Sequence, residues 1–539
     1  MVNGLLKERR YLWTLVPCAA VLCLAALLRG AEYDEQYTLF LTAGVPRPDW
    51  PAEVFPAGLA HELQSGTAGL ATIARDLRIT DVHPPLYFWL VSLWRATFGH
   101  DLIVARMLSV VLGLNALALI GAIALLSRLP PARAMLLTLG CYGFTYTSVV
   151  ARGFALAQLL LLAGVLCLLV GRRRRHSLLA GALFGAATLT NYLAVFAAGA
   201  CLLAAGLEAA WPQIFRPSTW VTSPGFRGRF PPLWRGYPRY PPRYPQVHPQ
   251  PGACIVPPSH RAFATLLGFL AFIPGDLWWF LGQSGSRPGQ FPPFHLGQSL
   301  ARLTARFAGD ILGGLPLYVP AAASPIAAAA LGLLLIWLVA RIVRHWGHIG
   351  IPHARTMFAL AALAPPFGLL VLGALFNNTP IEVRYLTFST PFVGLLLAGA
   401  LGSRGTAAVL AIQAASIAGL MLAPQTMQPA RAAAHAAAML VGDGVVLLPR
   451  GNDGVGIVGA FAIEAPPALP LLLIRTADSP DQIRASIRPW HRVVLALVEQ
   501  DDASRAATRA MHLALADPGW REVARGPYVA VYERVGETE

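Results

Sequence analysis

At 539 residues, with 55% hydrophobic and 13% charged side chains, the chain is too long and too apolar for one ordinary soluble domain. A net charge of +15 would suggest a nucleic-acid partner in a soluble protein. Here the arginines sit between long apolar runs, where positive charge is retained on the cytoplasmic face and meets anionic lipid, so nucleic-acid binding is not expected and a polytopic membrane protein is.

The first span, 11–28, follows Lys7, Arg9 and Arg10 and reads as a retained anchor, because no Ala-x-Ala cleavage site closes it before Arg29. With the N-terminus inside, the loop that follows lies outside; it opens on Asp34-Glu35 and ends in Asp81-Val82-His83-Pro84-Pro85-Leu86-Tyr87. Carboxylates are costly near hydrocarbon, which makes this acidic pair a candidate site. The segment 84–98 is expected to lie along the interface, since a crossing there would put Arg172-Arg173-Arg174-Arg175 outside. The first outer loop with its interfacial helices thus covers about 30–100.

Spans follow at 101–127, 133–150, 153–170, 177–192 and 194–210. The insert 211–260 is rich in Pro, Arg, Tyr and Gly and has no acidic residue, a composition that forms an extended cytoplasmic linker. A span at 262–281 leads to an outer loop with Arg287, His295, Arg302, Arg306 and Asp310, then come spans at 322–340 and 357–376. The turn 377–385 carries Glu382, Arg384 and Tyr385, and spans at 385–401 and 406–423 bring the total to about eleven. The membrane domain is 1–426. The tail, 427–539, alternates apolar runs at 445–448, 471–474 and 493–498 with helix-like segments at 480–487 and 503–516, a small soluble α/β domain. Its Gly451-Asn452-Asp453-Gly454-Val455-Gly456 lacks the dinucleotide-binding spacing and reads as a turn. All six cysteines precede the tail, and neither a disulfide framework nor a thiolate metal site is implied.

This topology gathers Asp34, Glu35, Asp81, His83, Arg152, Arg287, Glu382, Arg384 and Tyr385 at the outer ends of spans. Carboxylates can activate a hydroxyl or amine, and cations can stabilise a departing phosphate. Asp34-Glu35 after the first span, His83-Pro84-Pro85-Leu86-Tyr87, Ala151-Arg152-Gly153-Phe154-Ala155-Leu156-Ala157 and Arg384-Tyr385-Leu386 occur in order over about 30–400. In combination they resemble the GT-C membrane glycosyltransferases, in particular the protein O-mannosyltransferase-like and lipid A aminoarabinose transferase-like branches.

The resemblance implies a mainly α, multi-pass protein of a bacterial inner membrane, N-terminus cytoplasmic and tail periplasmic. Its partners would be membrane lipids, a polyprenyl-phosphate-linked sugar donor, and a glycan, lipid or protein acceptor. Asp34 would serve as base or acceptor-positioning group with Glu35 beside it, His83, Arg384, Tyr385 and Arg152 would contact the donor phosphate, and Asp81 would complete the site. Two departures stand out: His83 replaces the Lys common before Pro-Pro in the aminoarabinose branch, and Gln158 stands where that branch carries an acidic residue. The sequence makes no cofactor certain, and Asp34, Glu35 and His83, with Asp81, are candidate ligands for a divalent cation. A transporter or flippase of an amphipathic solute is a competing reading, weakened by the absence of an evident repeat and by charges lying at the surface. A non-catalytic sensor or scaffold is another.

Overall fold

The computed structural model describes residues 9–171, 173–210, 257–283, 291–423 and 429–536. Most of the insert 211–260, Arg287, Cys254 and the 426/427 domain boundary lie outside the described residues, while Ser259 and His260 already belong to the helix Pro258–Leu270.

The chain is a polytopic, mainly helical membrane protein. Seven of its described helices are long and apolar enough to cross a bilayer: Tyr11–Leu28, Leu102–Leu126, Pro258–Gly282, Ser324–Arg344, Pro352–Phe376, Val383–Ala400 and Ser403–Leu422. Phe154–Val170 and Ala194–Ala210 are shorter apolar helices, and Arg174–Thr188 packs beside them. The expected single span 133–150 is instead two pieces, Pro131–Gly140 and Tyr142–Ser148, because Cys141 leaves helical geometry with ψ 118°. Glycines flank the break and let polar groups press on bare backbone: a Cβ on Gly140 would lie 2.1 Å from Gln413 Oε1, and one on Gly143 would strike Asp310. Elsewhere Arg174–Thr188 and Pro258–Leu270 cross with glycine against carbonyl in both directions. A Cβ on Gly268 would meet Leu178 O at 2.2 Å, and one on Gly181 would strike Thr265 O. Small residues permit such close approach where lipid supplies no hydrophobic drive.

The tail supplies five strands, β2 to β6, of a six-stranded sheet whose order is β1-β3-β2-β4-β6-β5, the sixth strand, β1, being Phe55–Pro56 of the first loop. Strands β2 (Val445–Pro449), β3 (Pro470–Ile474) and β4 (Arg492–Ala496) are parallel neighbours, and β6 (Val529–Arg534) lies antiparallel to β4 and to β5 (Trp520–Arg525). In β2 all five residues are buried, as expected for a strand covered on both faces. Val445 and Leu447 meet the layer containing Ile483, Ile487 and Met511, whereas Val446 and Leu448 meet the opposite layer.

That opposite layer is not made by the tail alone. Phe40, Trp50, Phe55, Ala57 and Ala60 of the first loop pack into it with Val455 and Phe461. Strand β1 is Phe55–Pro56 of the same loop, paired antiparallel to β3 with Phe55 opposite Leu471. The tail is thus built around the first loop. A polar clamp adds to the joint: Glu464 accepts from the buried Ala31 N–H at 2.5 Å and from Arg431 Nε at 2.7 Å, and Arg431 also donates to the Leu28 and Arg29 carbonyls. Glu464→Ala strands the Ala31 donor, so a loss of about 1–3 kcal/mol is expected, read as a lower melting temperature in detergent. An unchanged melting temperature would show that the clamp carries no stability.

Candidate functional site

The helix Tyr33–Ala43 begins where the first span ends. Its capping box is acidic at both ends: the Glu32 side chain meets the N3 backbone, and Glu35 accepts from the Glu32 N–H at 3.0 Å. Negative charge is favoured at a helix N-terminus, which explains why acids collect in this turn. Successive helical residues point about 100° apart, and the two carboxylates of the pair therefore part company.

Glu35 is fully buried and faces Arg106. It accepts from Arg106 Nε at 2.8 Å and Nη2 at 2.5 Å, and from Ala151 N–H at 2.9 Å. Arg106 spends its remaining donors on the Ala26, Arg29 and Gly30 carbonyls at 2.7–2.9 Å. Burial alone would raise the Glu35 carboxyl, but Arg106, Arg29 and the Ala151 N–H together hold it below the ordinary carboxylate range. Glu35, expected beside Asp34 in the catalytic position and as a candidate cation ligand, does not line the cavity described next, and its oxygens accept from Arg106 and the Ala151 N–H.

Asp34 turns into a cavity of about 740 Å³. There it pairs with Arg384, which comes from the short helix Val383–Leu386, and both side chains stay reachable at 19% and 26% exposure. The Arg384 guanidinium also lies 5.3 Å from the Tyr385 ring centre. Asp81, His83, Arg152 and Tyr385 line the same cavity. Asp81 closes the helix Leu70–Thr80 as its C-cap rather than opening the next one. Its Oδ1 lies 2.8 Å from His83 Nδ1, its Oδ2 3.4 Å from Arg152 Nη1, and Arg152 Nη2 stands 3.1 Å from His83 Nδ1.

The Asp81 carboxylate is the closer neighbour of His83 Nδ1 and favours a proton on that nitrogen. Burial and the neighbouring Arg152 lower the His83 pKa, with Asp81 opposing. Burial likewise works to raise Asp81, but Arg152 and His83 outweigh it and hold this carboxyl below its ordinary range. Burial and Arg152 thus disfavour the imidazolium, and the permanent cation beside His83 is Arg152, while Arg384 lines the same cavity.

Several lining groups were not forecast as site residues. Glu32, bonded to Arg29 and to the Tyr146 hydroxyl at 2.5 Å, forms part of the wall; the Glu-x-x-Glu capping spacing was its only signal. Arg306 pairs with Glu382 at 3.7 Å on another side. The tail supplies Asn452, Asp453, Gln500, Asp501, Asp502 and Arg505. Its 451–456 segment is a turn, with positive φ at Gly451 and Gly454, and it docks on the acidic helix. Tyr37 donates to Asp453 at 2.8 Å, and Trp50 donates to the Gly454 carbonyl at 2.6 Å. Gly456 lies so close to the Tyr33 ring that a Cβ would overlap it.

The candidate cation ligands do not converge. Asp34 is engaged by Arg384, Glu35 by Arg106 and His83 by Asp81. Gln158 is buried and donates to Thr387 Oγ1 at 2.7 Å. Among the described residues no group of three or more His, Cys, Asp and Glu side chains is placed to hold a metal.

A helical membrane bundle with a polar cavity at one end, walled in part by a small α/β domain, is the class that this fold and site define. No family model and no curated protein matches the chain. Among solved structures it is similar to ArnT from Cupriavidus metallidurans bound to undecaprenyl phosphate, at 13% identity and TM-score 0.49 over 98% of this chain and 99% of that one. It is also similar to the oligosaccharyltransferase of Archaeoglobus fulgidus in the apo form, at 12% identity and TM-score 0.41 over 91% of this chain and 70% of that one. At such identities and scores these likenesses say nothing about substrate or chemistry.

Proposed function

We propose that this protein is a GT-C-type membrane glycosyltransferase that moves a sugar from a polyprenyl-phosphate-linked donor to an acceptor at the outer, periplasmic face. One observation carries the reading: Asp34, Asp81, His83, Arg152, Arg384 and Tyr385, drawn from segments far apart in the chain, line one cavity of about 740 Å³. A reachable carboxylate beside two arginines is what transfer from a lipid phosphate needs.

In the proposed step the acceptor hydroxyl attacks the anomeric carbon, the bond from that carbon to the phosphate oxygen breaks, and the electron pair leaves with the polyprenyl phosphate. The acceptor proton passes to Asp34. A single displacement of this kind inverts the anomeric centre. Arg384 has two tasks. Before the donor arrives it holds Asp34 as an ion pair, which weakens that carboxylate as a base. The donor phosphate competes for the guanidinium, and once Arg384 turns to it, Asp34 is free to take the proton. Arg152, fixed by Asp81, is the second cation for the leaving group. His83, whose imidazolium is disfavoured, offers a hydrogen-bonding ring rather than a permanent charge.

The test is a comparison of lipid-linked sugars and surface glycans between a deletion strain and its parent. An accumulated donor together with one glycan missing a residue is expected. Unaltered glycans and carriers would overturn the reading.

A pH effect follows from His83. The unfolded chain takes up this proton near pH 6.5, whereas the folded protein binds it only at lower pH. Stability therefore falls as pH drops from 6.5 toward the folded value, where the unfolded state binds more protons. Melting curves at pH 7.5 and 5.5 are expected to converge in His83→Gln relative to the unsubstituted protein, and equal pH sensitivity in both would refute the assignment.

A further inference from the structure

The cavity has a second wall that the donor does not explain. To the cavity lining the tail contributes two carboxamides, Asn452 and Gln500, and three carboxylates, Asp453, Asp501 and Asp502. Two aromatic rings line the cavity with this wall: Tyr33 and Tyr37, one helical turn apart, with ring centres 5.5 Å apart and hydroxyls 2.9 Å apart, and Tyr37 is bonded to Asp453. Each element of the wall is held in place. Asp453 is bonded to Tyr37 and to the Val455 N–H, and Asp501 accepts from Asn452 N–H at 3.1 Å while capping the helix Asp502–Leu515 through Ser504 N–H at 2.7 Å. The one tail cation there, Arg505, is already paired with Asp502.

Carboxylates and carboxamides next to tyrosine rings match a surface dense in hydroxyls: they accept and donate hydrogen bonds to several hydroxyls at once, while an aromatic face covers the C–H side of a sugar ring. The same carboxylates repel phosphate. Resting on the transferase reading above, we infer that the tail wall is the acceptor subsite and that the acceptor is an unphosphorylated, polyhydroxylated glycan, gripped by Asn452, Gln500 and Asp501. The tail then sets what is glycosylated, and the membrane bundle sets which carrier is used.

The experiment measures equilibrium binding of one glucosamine disaccharide, with and without its phosphates, to the full chain in nanodiscs containing undecaprenyl phosphate. Binding of undecaprenyl phosphate itself is recorded separately. The unphosphorylated form is expected to bind more tightly, and Asn452→Ala or Gln500→Ala to weaken it by about tenfold, the equivalent of about 1.4 kcal/mol for lost hydrogen bonds, with carrier binding unchanged in both variants. Equal or tighter binding of the phosphorylated form, no binding of either form, or variants indistinguishable from the parent overturns the inference. Failure to bind undecaprenyl phosphate instead overturns the transferase reading, and the two failures are seen in separate measurements. Since Asn452 and Gln500 lie on surface turns of a tail whose core they do not enter, melting curves of both variants are expected to match the parent.

Discussion

Asp34→Asn is expected to lower sugar transfer by roughly 10²- to 10⁴-fold, the usual contribution of a positioned base, while the protein remains folded and still binds the carrier lipid. The two readouts should move in opposite directions. An amide cannot take the acceptor proton, so turnover falls. It also releases Arg384 from its ion pair, so undecaprenyl phosphate should bind as tightly as before or more tightly. Arg384→Ala has the contrasting signature, with carrier affinity lost along with turnover. Radiolabelled transfer and carrier binding on the same membrane preparations check both. Full activity in Asp34→Asn would remove this carboxylate from the mechanism, and parallel loss of carrier binding would recast it as a structural group.

The largest expected effect on stability comes from its neighbour. Arg106→Met leaves Glu35 buried with its charge uncompensated, and removing one partner of a buried pair typically costs about 3–5 kcal/mol. Three backbone carbonyls, of Ala26, Arg29 and Gly30, lose their donor as well. The variant is expected to give little monodisperse protein in detergent. Arg106→Met combined with Glu35→Leu should recover much of the loss, because the desolvated charge goes with its partner, while the freed carbonyls keep recovery incomplete. Thermal melts of the single and double variants decide it; a single variant as stable as the parent would mean that the pair does not hold this corner together.

These two experiments divide a pair that is indivisible in the sequence. Asp34 and Glu35 have the same charge and the same position at the end of a span, and which one faces the cavity depends on Arg106, a residue 71 positions away. Hydropathy and positive charge pointed to about eleven spans because those properties repeat along every segment, and seven of the described helices are long and apolar enough to cross. Those properties do not register the break at Cys141, where side chains from two remote helices pack on Gly140 and Gly143. The tail wall was illegible for the same reason. Asn452 and Asp453 look like ordinary turn residues until Tyr37, 416 positions earlier, is seen bonded to Asp453. The place of His83 at the end of the first loop was legible, but the shift of its imidazole was not, because that depends on burial and on Arg152.

The pairing of Phe55–Pro56 with β3 has a consequence for how the protein is made. Strand β1 leaves the ribosome early and its partner near the end, so the first loop must wait, unpaired, while the intervening helices insert. Contacts this distant in sequence form slowly, and the waiting edge is open to wrong partners. The tail produced by itself would in turn expose the flank of β3 and the apolar face that Phe40, Trp50 and Phe55 cover. Chains that stop short of β3 should therefore be substrates for quality control rather than partly working enzymes, and a chaperone holding the first loop would act at the slowest point of assembly.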